Sequence, residues 1–254
     1  MLGRLRALAR RLLGVERVPT YYLPWLTRPG LECVVLLNNI ESRFTSGRTA
    51  TALAATLTQH DADGRVVAVH RGTLPDSAAT CEVPVTPTAA GHGFVTVAAE
   101  GIKSDLYVAL VSGEAYAATH GRHEFVERYP AWTRALLAVA GALLAPAGRT
   151  VPAFRRDQYV YHGADSRSHV LLLNLSNVVN HIRVLATRDG ARRARLVRVP
   201  PMGAAVVDVA ALVPAAGPLE VTRLRLTGNA WFNLYLVGAG ARDLDGALSL
   251  MHVK

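Results

Sequence analysis

The feature that most constrains this chain is an internal duplication. Val34-Val-Leu-Leu-Asn38 matches Val170-Leu-Leu-Leu-Asn174, and Asp63-Gly64 recurs 126 residues later as Asp189-Gly190. At the same spacing Pro75 falls opposite Pro201, Cys81-Glu82-Val83 opposite Val207-Asp208-Val209, and Val95-Thr96 opposite Val221-Thr222. Farther along, Asp105-Leu-Tyr-Val108 resembles Asn233-Leu-Tyr-Leu236, and Thr119-His120 stands where the second unit has Met251-His252. The blocks keep their order with small insertions between them, so the 254 residues read as two copies of one unit. That division also suits the roughly 100–150 residues of a typical domain.

Each copy reads as all-β. Short runs rich in Val, Leu, Thr and Tyr alternate with turn signals, and the two Asp-Gly pairs sit between apolar runs as hairpin turns do. Pro84 and Pro87, and later Pro200, Pro214 and Pro218, break the pattern again. This predicts a mainly β chain of two tandem antiparallel β-sandwich (jelly-roll-like) domains, with an N-terminal amphipathic helix and an interdomain helix. The expected division is 1–18 basic helix, 19–124 first sandwich, 125–158 helical connector and 159–254 second sandwich. The first copy carries an insertion, Arg43 to Leu53, where the second runs directly from Asn177 to Asn180.

In the connector, Ala135 to Ala147 is uncharged, with Leu136, Leu137, Ala140, Leu143 and Leu144 at helical spacing and Pro146 and Gly148 at its end. It is too short for the roughly 20 residues that cross a bilayer. The favoured expectation is a buried connector; an interfacial helix flanked by Tyr129 and Trp132 is the alternative.

Charge enters through its position. The net charge is +9; residues 1–20 contribute +4 and residues 183–198 contribute +5, so the remaining body is neutral. On a helical wheel Leu2, Leu5, Leu8 and Leu12 share one arc, and Arg4, Arg6, Arg10 and Arg11 fill the other face. Such a segment suits the boundary between acyl chains and anionic headgroups; packing on the body and targeting are the alternatives. In the second basic segment Arg188, Arg192 and Arg193 cluster at a hairpin tip and are candidate anion contacts. Strand alternation puts Arg192 and Arg198 opposite Arg193 and Arg195, which argues against one flat patch. No aromatic residue stands beside them in sequence, which argues against a nucleic-acid partner.

Chemistry of other kinds has little to stand on. No nucleophile elbow, phosphate loop or dinucleotide fingerprint is present, so no catalytic residue, cofactor or metal is assigned. His120, His123 and Glu124 have the residue types of a metal site, but Gly121 interrupts them and the second copy retains only His252. Trp231 and Tyr235 share a predicted strand face, where they either fill a core or stack on a sugar in a carbohydrate-binding alternative. Cys33 and Cys81 are expected as reduced thiols.

The second copy has an apolar strand ending at Leu173-Asn174, an acidic turn, a Val199-Pro200 step, a late Leu234-Tyr235-Leu236 strand and the tail Arg242-Asp243-Leu244-Asp245. This pattern resembles the small β-sandwich family of the soluble transducer of bacterial sensory rhodopsin, over about 85 residues. The resemblance implies a cytoplasmic, non-catalytic module that docks on a membrane protein or other partner and can form homo-oligomers. From the duplication, the absent chemistry and the localised charge, the function expected is a non-catalytic adaptor or binding module that docks on a protein partner at the cytoplasmic membrane surface.

Overall fold

A computed structural model of the chain describes residues 12–37, 53–74, 81–99, 106–113, 115–240 and 249–252. Leu2, Arg4, Leu5, Arg6, Leu8, Arg10 and Arg11, and the insertion up to residue 52, lie outside the described residues. The first half forms β1 (Glu16–Leu26), β2 (Glu32–Leu37), β3 (Leu53–Asp61), β4 (Val66–Leu74), β5 (Cys81–Pro84), β6 (His92–Ala98), β7 (Tyr107–Ser112), β8 (Ala115–His120) and β9 (Arg122–Arg128). Helix α1 (Ala131–Leu144) and a 3-10 turn (Ala145–Ala147) follow. The second half forms β10 (Phe154–His162), β11 (Ser166–Asn174), β12 (Asn180–Arg188), β13 (Ala191–Val199), β14 (Ala204–Asp208), β15 (Glu220–Gly228), β16 (Phe232–Gly240) and β17 (Ser249–His252). The chain is thus mainly β, and β9 and β10 take up the two ends of the expected connector.

The strands form four antiparallel sheets, and the sheet orders repeat. In the first half they run β4-β3-β6-β1-β9 and β5-β2-β7-β8; in the second, β13-β12-β15-β10 and β14-β11-β16-β17. Replacing each of β1 to β8 by the strand nine places later converts one set into the other, with β9 left over. The ladders also refine the residue correspondence. Tyr107 pairs with His120 and Tyr235 with His252, as the sequence match requires. Val108, however, pairs with Val35, while its counterpart Leu236 pairs with Val170. Val35, not Val34, is therefore equivalent to Val170. The match of Val95 with Val221 is out of register as well, because Val95 is 3% exposed and Val221 44%. A slip of one residue exchanges the faces of a strand, so such errors are visible only once burial is known.

The two halves share a core. On β11 and β16, Val170, Leu172, Leu234 and Leu236 belong to a cluster within the second half. Their neighbours Leu171, Leu173, Tyr235, Val237 and Ala239 belong to the other cluster, with Tyr22, Leu23, Trp25, Phe94 and Val108 of the first half. Both faces of these strands are buried, which is why they read as unbroken apolar runs in place of an alternating pattern.

The Asp-Gly hairpins have diverged in use. Asp189 (φ 46°) and Gly190 (φ 80°) are both left-handed, as a two-residue hairpin of this type requires, and open space surrounds Gly190. Gly64 (φ 81°) is pressed against the second half: a Cβ there would lie 1.9 Å from the Pro201 carbonyl oxygen. Beside it, Ala204 N–H donates to the Ala62 carbonyl at 3.0 Å. Gly190→Ala is expected to cost about 1 kcal/mol through backbone strain alone. Gly64→Ala should cost at least 1 kcal/mol more, because backbone must move as well; urea melts of the two variants check this.

Burial lowers the pKa of His60, His92, His162 and His181 below the ordinary 6.5. The unfolded chain binds these protons first, so stability is complete above pH 6.5 and falls as the pH drops from there toward the folded-state values. Denaturation midpoints recorded from pH 7.5 to 5 should decline, with the slope beginning near pH 6.5.

Candidate anion-binding face

The sheet β13-β12-β15-β10 turns Ile182, Val184, Ala186, Thr222, Leu224, Leu226 and Val160 inward. Alternation sends their neighbours outward. Arg183, Leu185 and Thr187 of β12 stand beside Leu196, Ala194 and Arg192 of β13 on one side. On the other side the same three residues meet Thr227, Arg225 and Arg223 of β15. Arg155, Asp157 and Tyr159 of β10 complete the rows, with Tyr161 beyond. The outward face therefore carries Arg155, Arg183, Arg192, Arg198, Arg223 and Arg225 against one carboxylate, Asp157. Tyr159 and Tyr161 stand on it, each 60% exposed.

Asp157 organises part of this surface. Its carboxylate accepts from Arg155 Nε at 2.6 Å, Arg225 Nε at 3.0 Å and Arg223 Nη2 at 3.4 Å. The hydrogen bond from Arg155, supported by Arg225, holds its pKa down at about 2, so it stays ionised. Arg183 and Arg192 make no ion pair among the described residues.

Of the arginines singled out in sequence, Arg192 lies on this face. Arg188 does not: it is paired with Glu220 and donates to the Pro214 carbonyl, which closes the hairpin against the neighbouring loop. Arg193 also departs, since it pairs with Ala186 and so follows the opposite face of the edge strand. The division of the hairpin arginines between two faces is as expected. What the sequence reading missed is that β10, β12 and β15 bring Arg155, Arg183, Arg223 and Arg225 up to Arg192 and rebuild a flat patch. It also missed the two tyrosines, which are distant in sequence and adjacent in the sheet.

Helix α1 stands over one end of this face. His181 shares the outward side of β12 with Arg183, and a Cβ at Gly141 would lie 2.7 Å from its Cε1. Leu137, Ala138, Gly141 and Ala145 line a groove of about 760 Å³ with Val178, His181 and Arg198, and Arg134 stands on its rim. The opposite side of the helix is apolar and open to solvent. Trp132 is 54% exposed, Leu136 54%, Val139 59% and Leu143 74%. Their spacing of four, three and four residues forms one stripe. The expectation of a buried connector is corrected here: no charged residue between Ala135 and Ala147 marks a solvent side, and the apolar stripe takes it. Because the body-facing side of α1 rests on outward-pointing His181, the stripe looks the same way as the arginine face. Leu12, 73% exposed, lies close by: Thr133 Oγ1 donates to the Leu13 carbonyl at 2.9 Å.

The remaining candidates have other occupations. Tyr235 is wholly buried in the shared core and presents no ring to a sugar. Trp231 is packed among Phe125, Phe154 and the Arg156 guanidinium, with ring centroids 4.9 and 5.5 Å away and the guanidinium carbon at 5.1 Å. His123 stacks on Tyr21 at 4.4 Å, and Glu124 is paired with Arg122 and accepts from Tyr22 Oη at 3.0 Å. Asn233 of the second half donates to Tyr22 Oη, so these residues lock the two halves together. Cys33 is buried, and burial pushes its thiol up to about 12. The β2–β5 ladder places Cys81 opposite Leu37, four residues from Cys33, beyond disulfide reach.

Fold and site together define a mainly β protein whose exposed chemistry is an arginine-rich sheet face beside an apolar helix. No family model matches the chain, and no curated protein or solved structure does. Among the described residues no helix is long and apolar enough to cross a membrane.

Proposed function

We propose that this protein is a non-catalytic adaptor of two tandem β-sandwiches, the second resembling the sensory-rhodopsin-transducer family, that docks peripherally on the anionic face of a membrane. The observation that carries the reading is the stripe of Trp132, Leu136, Val139 and Leu143 standing beside six arginines that look the same way. An apolar ridge that enters the acyl boundary, flanked by guanidinium groups at headgroup level, suits a charged bilayer. Each arginine near such a surface contributes about 1 kcal/mol at low salt. A single-stranded nucleic acid would use the arginines and tyrosines but has no need of the ridge, which favours the membrane.

Co-sedimentation with phosphatidylserine vesicles tests the proposal. The protein should pellet with anionic vesicles and remain in solution with neutral ones. Binding should weaken at least tenfold in the Arg183→Glu/Arg223→Glu variant and in high salt. Tight binding to a single-stranded oligonucleotide without vesicle binding would replace the membrane reading with a nucleic-acid one.

A further inference from the structure

At Thr187 on the arginine face, positive groups converge on a hydroxyl beside a depression. Thr187 pairs with Arg192 on one side and with Arg223 on the other, so the three residues lie in one row across β13, β12 and β15. Adjacent strands are about 4.8 Å apart, which leaves Arg192 and Arg223 flanking Thr187 within easy reach of one small ligand. Arg225 stands one pair further along, beside Leu185. These four residues, with Leu185 as floor and Gly190 at the rim, enclose a depression of about 220 Å³. Among the described residues no carboxylate lines it. Asp157 is not among the lining residues and accepts from both Arg223 and Arg225 through the same oxygen, Oδ1, fixing two of the three guanidinium groups.

We propose that this depression is a binding site for a terminal phosphate group, the dianionic phosphomonoester of a lipid headgroup or of a free phosphate compound. The proposal deepens the membrane reading and rests on the same face. Guanidinium groups bind phosphate oxygens in pairs, and three of them with a hydroxyl donor match a tetrahedral dianion better than a carboxylate–ammonium headgroup such as phosphatidylserine. A preformed cluster loses little side-chain freedom on binding, because Arg223 and Arg225 are already held.

Two measurements on the full chain test it. Calorimetry with inorganic pyrophosphate should detect binding that falls tenfold or more in Arg192→Ala/Arg223→Ala. Thr187→Val should lower it by a smaller factor. All three positions are on the surface, and a thermal melt of each variant confirms that the fold is kept. In sedimentation, vesicles containing phosphatidic acid should bind the protein more tightly than phosphatidylserine vesicles matched in surface charge, and the double variant should abolish that preference. Absence of pyrophosphate binding, or equal binding by wild type and the double variant, overturns the site. Equal binding to the two kinds of vesicle overturns the headgroup assignment and leaves membrane docking intact. Pyrophosphate binding that depends on Arg192 and Arg223, without vesicle binding, supports the site and overturns docking.

Discussion

Replacing Leu136 and Leu143 by aspartate should abolish vesicle binding while leaving the fold intact. Burying a leucine fully is worth roughly 1.5–3 kcal/mol, and these two side chains, 54% and 74% exposed, have most of that gain still to make. The substitution removes the gain and puts two anions against an anionic surface. Together these effects should weaken binding by well over tenfold. The stability cost is expected at about 1–2 kcal/mol, from the poorer helix propensity of two aspartates and an anion in the last helical turn, less than a core leucine would cost. Co-sedimentation of the double variant, beside a urea melt, separates the two quantities. A large loss of stability would mean that the stripe belongs to the core.

The second large effect concerns the shared core. Leu171 and Leu173 are buried on β11, yet they face the first half and not their own companion sheet. Leu173→Ala should cost about 2–5 kcal/mol, as for other buried leucines. Because the cluster it leaves includes Tyr22, Trp25 and Phe94 of the first half, the variant should still unfold in one transition, with both halves lost together. Calorimetry checks the shape of that transition. Two separated peaks, with only the second half destabilised, would mean that the copies fold as independent units.

The sequence made some of this legible and hid the rest for physical reasons. The duplication was readable because equivalent turns keep their residues: Asp63-Gly64 and Asp189-Gly190 both close hairpins. The register of the match was not, because neighbouring apolar residues such as Val34 and Val35 look alike until one of them is buried. Sequence periodicity placed a helical run at Ala135 to Ala147, where the structure has a helix at Ala131–Leu144, but could not tell which side faces solvent, since that inference needs polar residues to mark it. The arginine face was half legible. Alternation correctly divided Arg192 from Arg193, but a sheet surface is assembled across strands. Arg155, Arg183, Arg223 and Arg225 join Arg192 only through pairings that no local pattern announces. The same holds for Tyr159 and Tyr161, which sit more than 30 residues before Arg192 in the chain and on the same face in space.

The most direct test of membrane docking is the depth of Trp132. Trp25 is buried in the core and Trp231 is packed among aromatic rings and Arg156, whereas Trp132 heads the exposed stripe. The full chain is mixed with anionic vesicles whose acyl chains carry bromine, a short-range fluorescence quencher. Strong quenching is expected, absent with neutral brominated vesicles and absent in Trp132→Phe. Fluorescence that is the same with brominated and unbrominated anionic vesicles would contradict the account.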